Sequence, residues 1–144
     1  MAAYQSVLAN LNVTDTATLA NAINTSVGGD IVTLVNNVTL NADLLIITKN
    51  LDFLGNGFGV SGNNTKRVFW IGNDVACPPT LTTPTVNFTN LKITNGFAKG
   101  GNGGNGFTGG GGGAGLGGGV FILNGNVTLN RVTFDGNKAA KRFN

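Results

Sequence analysis

Gly118-Gly119-Val120-Phe121-Ile122-Leu123-Asn124-Gly125-Asn126-Val127-Thr128-Leu129-Asn130-Arg131-Val132-Thr133-Phe134-Asp135-Gly136-Asn137 carries three short apolar-x-apolar beats: Val120/Ile122, Val127/Leu129 and Val132/Phe134. A two-residue period places both members of each pair on one face of a short strand. The Asn, Gly and Arg residues between the beats suit bends rather than a helix. Short strands with one apolar face, separated by bends, predict one coil of a parallel β-helix. A coil of that kind buries its apolar face only by stacking on others.

The beats recur upstream. Val86-Asn87-Phe88 leads through Thr89-Asn90 into Leu91-Lys92-Ile93, and Leu45-Ile46-Ile47 leads through Thr48-Lys49-Asn50 into Leu51-Asp52-Phe53. Val32-Thr33-Leu34 leads in the same way into Val38-Thr39-Leu40. The same spacing of 41 positions separates Leu45 from Val86 and Val86 from Val127. A third beat precedes each later pair: Val68 to Ile71 before Val86, and Val120 to Ile122 before Val127. Phe58 and Val60 are read as the third beat of the earlier coil. The expected fold is all-β, a right-handed parallel β-helix, or solenoid, of about three coils. In that register Leu129, Phe134, Phe88, Ile93, Ile47 and Phe53 point inward in aligned stacks.

These segments resemble bacterial surface proteins of the polymorphic outer-membrane-protein repeat type, and adhesin-like right-handed parallel β-helices more widely. The family's repeat pairs a Gly-Gly-Ala-Ile-like start with a Phe-x-x-Asn end. Gly118-Gly119-Val120-Phe121 stands for the start, and Phe134-Asp135-Gly136-Asn137 matches the end. Phe53-Leu54-Gly55-Asn56 is a second Phe-x-x-Asn, whereas Ile93-Thr94-Asn95-Gly96 departs from the motif. The resemblance also takes in Ile47 to Leu51 and Ser61 to Asn64 leading to Arg67-Val68-Phe69. It implies a surface-exposed β-helix and names no activity, because a fold does not specify a function.

Apolar residues make up 41% of the 144 residues and charged residues only 10%, with 22 Asn and 17 Thr in place of surface charge. The net charge of +3 is scattered apart from Lys138, Lys141 and Arg142, so no nucleic-acid partner is expected. The single cysteine, Cys77, excludes an intrachain disulfide. No run is long enough for a membrane-spanning segment, and Met1 to Gln5 lacks the features of a signal peptide.

A single β-helix domain is expected over residues 1–144. An N-terminal cap covers 1–29, where Asp15 or Thr16 starts a short capping helix through Leu19 and Ile23 and Gly28-Gly29 ends it. The coils cover 30–137, with loop insertions at 72–85 and 96–119 and a basic tail at 138–144. The first insertion holds all three prolines, and Trp70 just before it is read as core. The second has 15 glycines in 24 residues, with Phe107 and Leu116 as its anchors.

Gly57-x-Gly59-x-x-Gly62 and Gly101-x-Gly103-x-x-Gly106 match the dinucleotide fingerprint only as text, since neither opens a helix after a strand. Gly100 to Thr108 resembles one calcium nonapeptide, with Asn105 where a carboxylate belongs. There is no His, and the acidic residues are six dispersed Asp: 15, 30, 43, 52, 74 and 135. An outward pair of Asp52 and Lys92 on neighbouring strands is expected. Catalytic, cofactor-binding and metal-ligating residues are therefore read as none, with no cofactor. The six sequons, at Asn12, Asn24, Asn37, Asn63, Asn87 and Asn126, follow from strand alternation of Asn and Thr.

The expected function is a non-enzymatic, self-assembling structural or adhesive module, extracellular or at the cell surface. The alternative is a fragment of a β-helix polysaccharide lyase or hydrolase lacking its catalytic coils. Expected partners are further copies stacked end to end or in a filament, or further coils of a parent chain, with carbohydrate or a host surface as adhesion target. An ice-binding surface would need a repeated Thr-x-Thr array, which Thr83-Pro84-Thr85 does not provide.

Overall fold

The computed structural model describes residues 7–73, 83–101 and 114–140. Along the chain come β1 (Asn10–Val13), α1 (Thr16–Thr25), β2 (Asp30–Leu34), β3 (Val38–Thr39), β4 (Leu51–Leu54) and β5 (Gly59–Ser61). They are followed by β6 (Phe69–Ile71), β7 (Thr85–Thr89), β8 (Lys92–Thr94), β9 (Phe97–Lys99), β10 (Val120–Ile122), β11 (Asn126–Asn130), β12 (Thr133–Asp135) and β13 (Lys138–Ala140). Every strand pair among the described residues is parallel.

The strands divide among four separate sheets: β1-β2-β4-β7-β11, β3-β5-β8-β12, β6-β10 and β9-β13. This corrects the expected solenoid. No sheet closes, and the right-handed parallel β-helix of about three coils is not what the structure shows. The physical reason lies in the third beat. The beats at Val68 to Ile71 and Val120 to Ile122 form one two-stranded sheet, because upstream of β6 a single residue, Ile47, bridges to Ile71 and no strand forms there, while Val60 joins the four-stranded sheet. The molecule is a mostly parallel arrangement of small sheets with one short helix.

The register also differs over residues 45–60. Val86 pairs with Leu51 rather than Leu45, and Phe53 with Phe88 rather than Ile93. Val60 pairs with Val38 and Ile93, in the second sheet. The spacing of 41 therefore marks equivalent positions for Val86 and Val127 but not for Leu45 and Val86. Downstream the reading holds: Val86 pairs with Val127, Ile93 with Phe134 and Phe69 with Val120. Lys138–Ala140 is strand β13, paired with Phe97–Lys99, so the basic tail starts as ladder and the 96–119 insertion contains a strand.

In-register pairing keeps each apolar row on one face. Phe53, Phe88, Ile93 and Ile47 are fully buried, as expected for inward positions. Phe53, Phe69 and Phe88 converge with ring centroids 5.0–5.3 Å apart. Such ring pairs stabilise by about 0.5–1.5 kcal/mol beyond their burial. Leu129 and Phe134 continue the same rows but are 50% and 46% exposed, because they lie in the outermost paired strands.

Asn amides hold the bends. Asn56 Nδ2 donates to the Leu34 carbonyl at 3.1 Å, and Asn137 Nδ2 donates to the Ile93 carbonyl at 2.8 Å. These are the two Asn residues of the Phe-x-x-Asn segments, and each ties its bend to the neighbouring strand. Asn37 and Asn50 accept from the backbone N–H groups of Gly59 and Thr85. At Gly96 a side chain would overlap the Gly118 carbonyl, so the ends of the glycine-rich stretch are packed backbone to backbone.

Helix α1 begins with a capping box. The Asp15 carboxylate accepts from the Thr18 N–H at 2.8 Å, and the Thr18 hydroxyl accepts from the Asp15 N–H at 3.0 Å. Thr16, Leu19, Ala22 and Ile23 face inward and are buried. Asp30 is buried, and its two oxygens accept from the Ala9 and Val27 N–H groups, each at 2.8 Å.

Two outcomes follow for stability. Phe88→Ala should cost about 3–5 kcal/mol in denaturant unfolding, and Phe134→Ala, only half buried, about 1 kcal/mol in the dilute protein. The Thr18 N–H, then its hydroxyl, hold the Asp15 carboxyl below its ordinary value of 3.8. A carboxyl depressed by folding stabilises at pH values above its unfolded pKa, and the contribution is lost as pH falls through the folded value. Asp15→Ala should therefore lower Tm at neutral pH, and the gap from the unmodified chain should close below pH 3.8.

Candidate functional site

Among the described residues, strands β10, β11, β12 and β13 pair in turn with β6, β7, β8 and β9, each on one side only. Their outer N–H and C=O groups form an open strand edge, which is a template for pairing with more chain. The rows that reach this edge remain apolar. Val32, Phe53 and Phe88 are buried and Leu129 is half exposed; Val38, Val60 and Ile93 are buried and Phe134 is half exposed. Ile122, in register with buried Ile71, is 46% exposed. Val127 and Val132 pack against the core from the same edge.

The first edge of the large sheet is different. There α1 packs on β1, with Val13, Leu19 and Ile23 buried beneath it. Its exposed positions are Ala17, Asn21, Asn24 and Thr25. The exposed face of α1 is thus small and polar, with Leu8 exposed just before β1 and Val27 just after α1, whereas the other edge presents Leu, Ile and Phe.

Two charged residues flank β12. Arg131 adopts φ 54°, a left-handed conformation that costs most side chains about 1–2 kcal/mol. The preceding strand places Asn90, φ 52°, at the equivalent bend, and Asn tolerates that region better. Asp135, the last residue of β12, lies four positions beyond Arg131 and is exposed.

The expected Asp52 and Lys92 pair does not form. Asp52 lies in the five-stranded sheet and accepts from Asn87 Nδ2 at 2.6 Å, whereas Lys92 lies in the four-stranded sheet beside Gly59 and Thr133. Asp15 and Asp30 have the structural partners described above. Among the described residues no group of three or more Cys, Asp, Glu or His residues could hold a metal ion. Of the glycine fingerprint at 57–62, Gly59 lies inside β5 and Gly62 is pressed against the Lys66 carbonyl. Cys77, Asp74, Phe107, most of the 101–106 fingerprint and most of the nonapeptide lie outside the described residues. No helix among the described residues is long and apolar enough to cross a membrane.

Comparison with family models, with curated proteins and with solved structures finds no match.

The strain at Arg131 has a measurable consequence. In dilute protein, Arg131→Asn should raise unfolding stability by about 0.5–1 kcal/mol, by relieving the left-handed conformation. Denaturant midpoints of the two chains at equal low concentration check this.

Proposed function

We propose that this chain is a non-enzymatic structural or adhesive module of an extracellular or cell-surface protein, and that it assembles through its open strand edge. The supporting observation is the run of apolar rows, buried through the sheets, that emerge half exposed at Ile122, Leu129 and Phe134. The extracellular setting rests on the resemblance of the Gly-Gly-Val-Phe and Phe-x-x-Asn segments to surface proteins.

The occupant we assign to the edge is a second copy presenting the same edge. The α1 face over the opposite edge exposes Ala17, Asn21, Asn24 and Thr25, and even with Leu8 and Val27 nearby it offers Leu129 and Phe134 a less apolar surface than a like edge does. Like edges suit each other and give a closed, twofold contact rather than an open filament. Antiparallel pairing of β12 with its copy about Thr133 sets Arg131 opposite Asp135 of the second copy, twice. Opposite charges placed across a strand pair are favourable. On this reading the strained Arg131 conformation serves assembly.

Sedimentation velocity of the 144-residue chain over a concentration series tests the reading. A concentration-dependent dimer is expected. Phe134→Lys should abolish it, Arg131→Asp should weaken it about tenfold or more, and adding Asp135→Arg to Arg131→Asp should restore it. A chain that stays monomeric at high concentration, with an unchanged circular dichroism spectrum, sinks the proposal.

A further inference from the structure

Trp70 is the single tryptophan of the chain, and it does not belong to the core as expected. Phe69 and Ile71 of β6 are buried inward, and strand alternation turns Trp70, half buried, to the opposite face. There the Arg67 guanidinium carbon lies 4.9 Å from the Trp70 ring centre and 5.2 Å from that of Phe121. The two rings meet edge to face at 5.6 Å. Arg67 Nε donates to the Gly117 carbonyl at 3.0 Å, and Nη2 donates to the Leu116 carbonyl at 2.8 Å. The glycine-rich segment is thus anchored through its backbone, while the Leu116 side chain stays half exposed.

A guanidinium has five N–H donors, so two are used here and about three remain. Burial pushes the Arg67 pKa down and Asp43 opposes that shift, yet an arginine stays charged. Arg67 is therefore a cation held flat before any ligand arrives, so little rotamer entropy is lost on binding.

Beside it the sheet is split. Ile47 bonds to β6, its N–H donating to the Trp70 carbonyl at 2.8 Å, but Leu44, Leu45 and Ile46 do not join the strand. They and β6 line a cleft of about 260 Å³, whose apolar wall is completed by Val68 and Trp70 and whose charged groups are Asp43 and Arg67. An adjoining depression of about 320 Å³ shares Asp43 and Arg67 and adds Thr65 and Lys99. Lys66 lies 3.1 Å from Asp43. Lys66 thus pairs with Asp43, while Arg67 and Lys99 line the depression beside it. The Trp70 indole N–H is buried with no acceptor among the described residues, a state that needs an account in a folded protein.

We propose that this cleft binds a small amphipathic carboxylate. Its apolar body lies against Leu45, Ile46 and Trp70, and its carboxylate takes the free donors of Arg67. A neutral sugar would leave its hydroxyls facing aliphatic side chains, which is unfavourable without partners. The inference stands on the cleft alone and is independent of the strand edge.

The lone tryptophan makes the test direct. Octanoate, below its micellar concentration, is titrated into the full chain while Trp70 fluorescence is followed, with octanol and glucuronate as comparators. Octanoate should give a saturable change at a concentration at least about tenfold lower than octanol, and glucuronate should give little. Arg67→Gln should bring octanoate to the level of octanol. Leu45→Asp, at a site 53% exposed and so tolerant of change, should abolish the response with the circular dichroism spectrum intact. Phe134→Lys, on the strand edge, should leave it unchanged. Equal responses to octanol and octanoate, no response to octanoate, or a Leu45→Asp chain that responds normally would each overturn the proposal.

Discussion

The convergence of Phe53, Phe69 and Phe88 depends on register. The three rings come from strands of two different sheets and meet within 5.3 Å of one another. A slip of one residue in β4 or β7 would turn its phenylalanine to the outer face and bring Asp52 or Asn87 inward. Strands of only two to five residues have few ladder bonds with which to resist that slip. The Asn side chains at the bends supply the missing restraint, each bonding to the backbone of a neighbouring segment. High Asn content in this chain is therefore a means of fixing strand alignment as well as of keeping a weakly charged surface wet.

The two surfaces singled out above share an origin in interrupted pairing. At β10–β13 the ladders have one partner side, and inward-pointing side chains lack a cover. At Leu44–Ile46 the chain leaves β6 after a single bridge, and outward-pointing aliphatic groups face an indole across a gap. Both expose apolar groups beside fixed charge, Arg131 and Asp135 in one case and Arg67 and Asp43 in the other. A surface of that kind favours a partner with matched chemistry over indiscriminate sticking.

Where the sequence carried a strong local pattern, it was legible. The Asp15 cap, the Leu19 and Ile23 face of α1 and the pairing of Val86 with Val127 followed from spacing and residue type. Leu45-Ile46-Ile47 and Leu51-Asp52-Phe53 have the same apolar pattern, and periodicity could not decide which one aligned with Val86-Asn87-Phe88. Hydrogen bonding to neighbouring segments decided it, and the misalignment carried through to the expected solenoid. The hydrophobicity of Trp70 points to the core, but the alternation of Phe69-Trp70-Ile71 turns it outward. Lys138–Ala140 has no strand pattern of its own, and its place beside β9 is set by context. The cleft was out of reach of local reading, since Arg67 meets carbonyls 49 and 50 positions away.

The spacing between in-register residues grows along the large sheet, from 21 positions between Val32 and Phe53 to 35 between Phe53 and Phe88 and 41 between Phe88 and Leu129. Alignment of the rows survives all three intervals. The entropy of closing a flexible connection rises only with the logarithm of its length, about 0.6 kcal/mol per doubling. Connections between strands can thus lengthen by many residues while the buried rows keep their contacts. Length variation is in this sense nearly decoupled from the core, and the connections from β6 to β7 and from β9 to β10 are where such a lineage can gain or lose sequence while the strands stay in step.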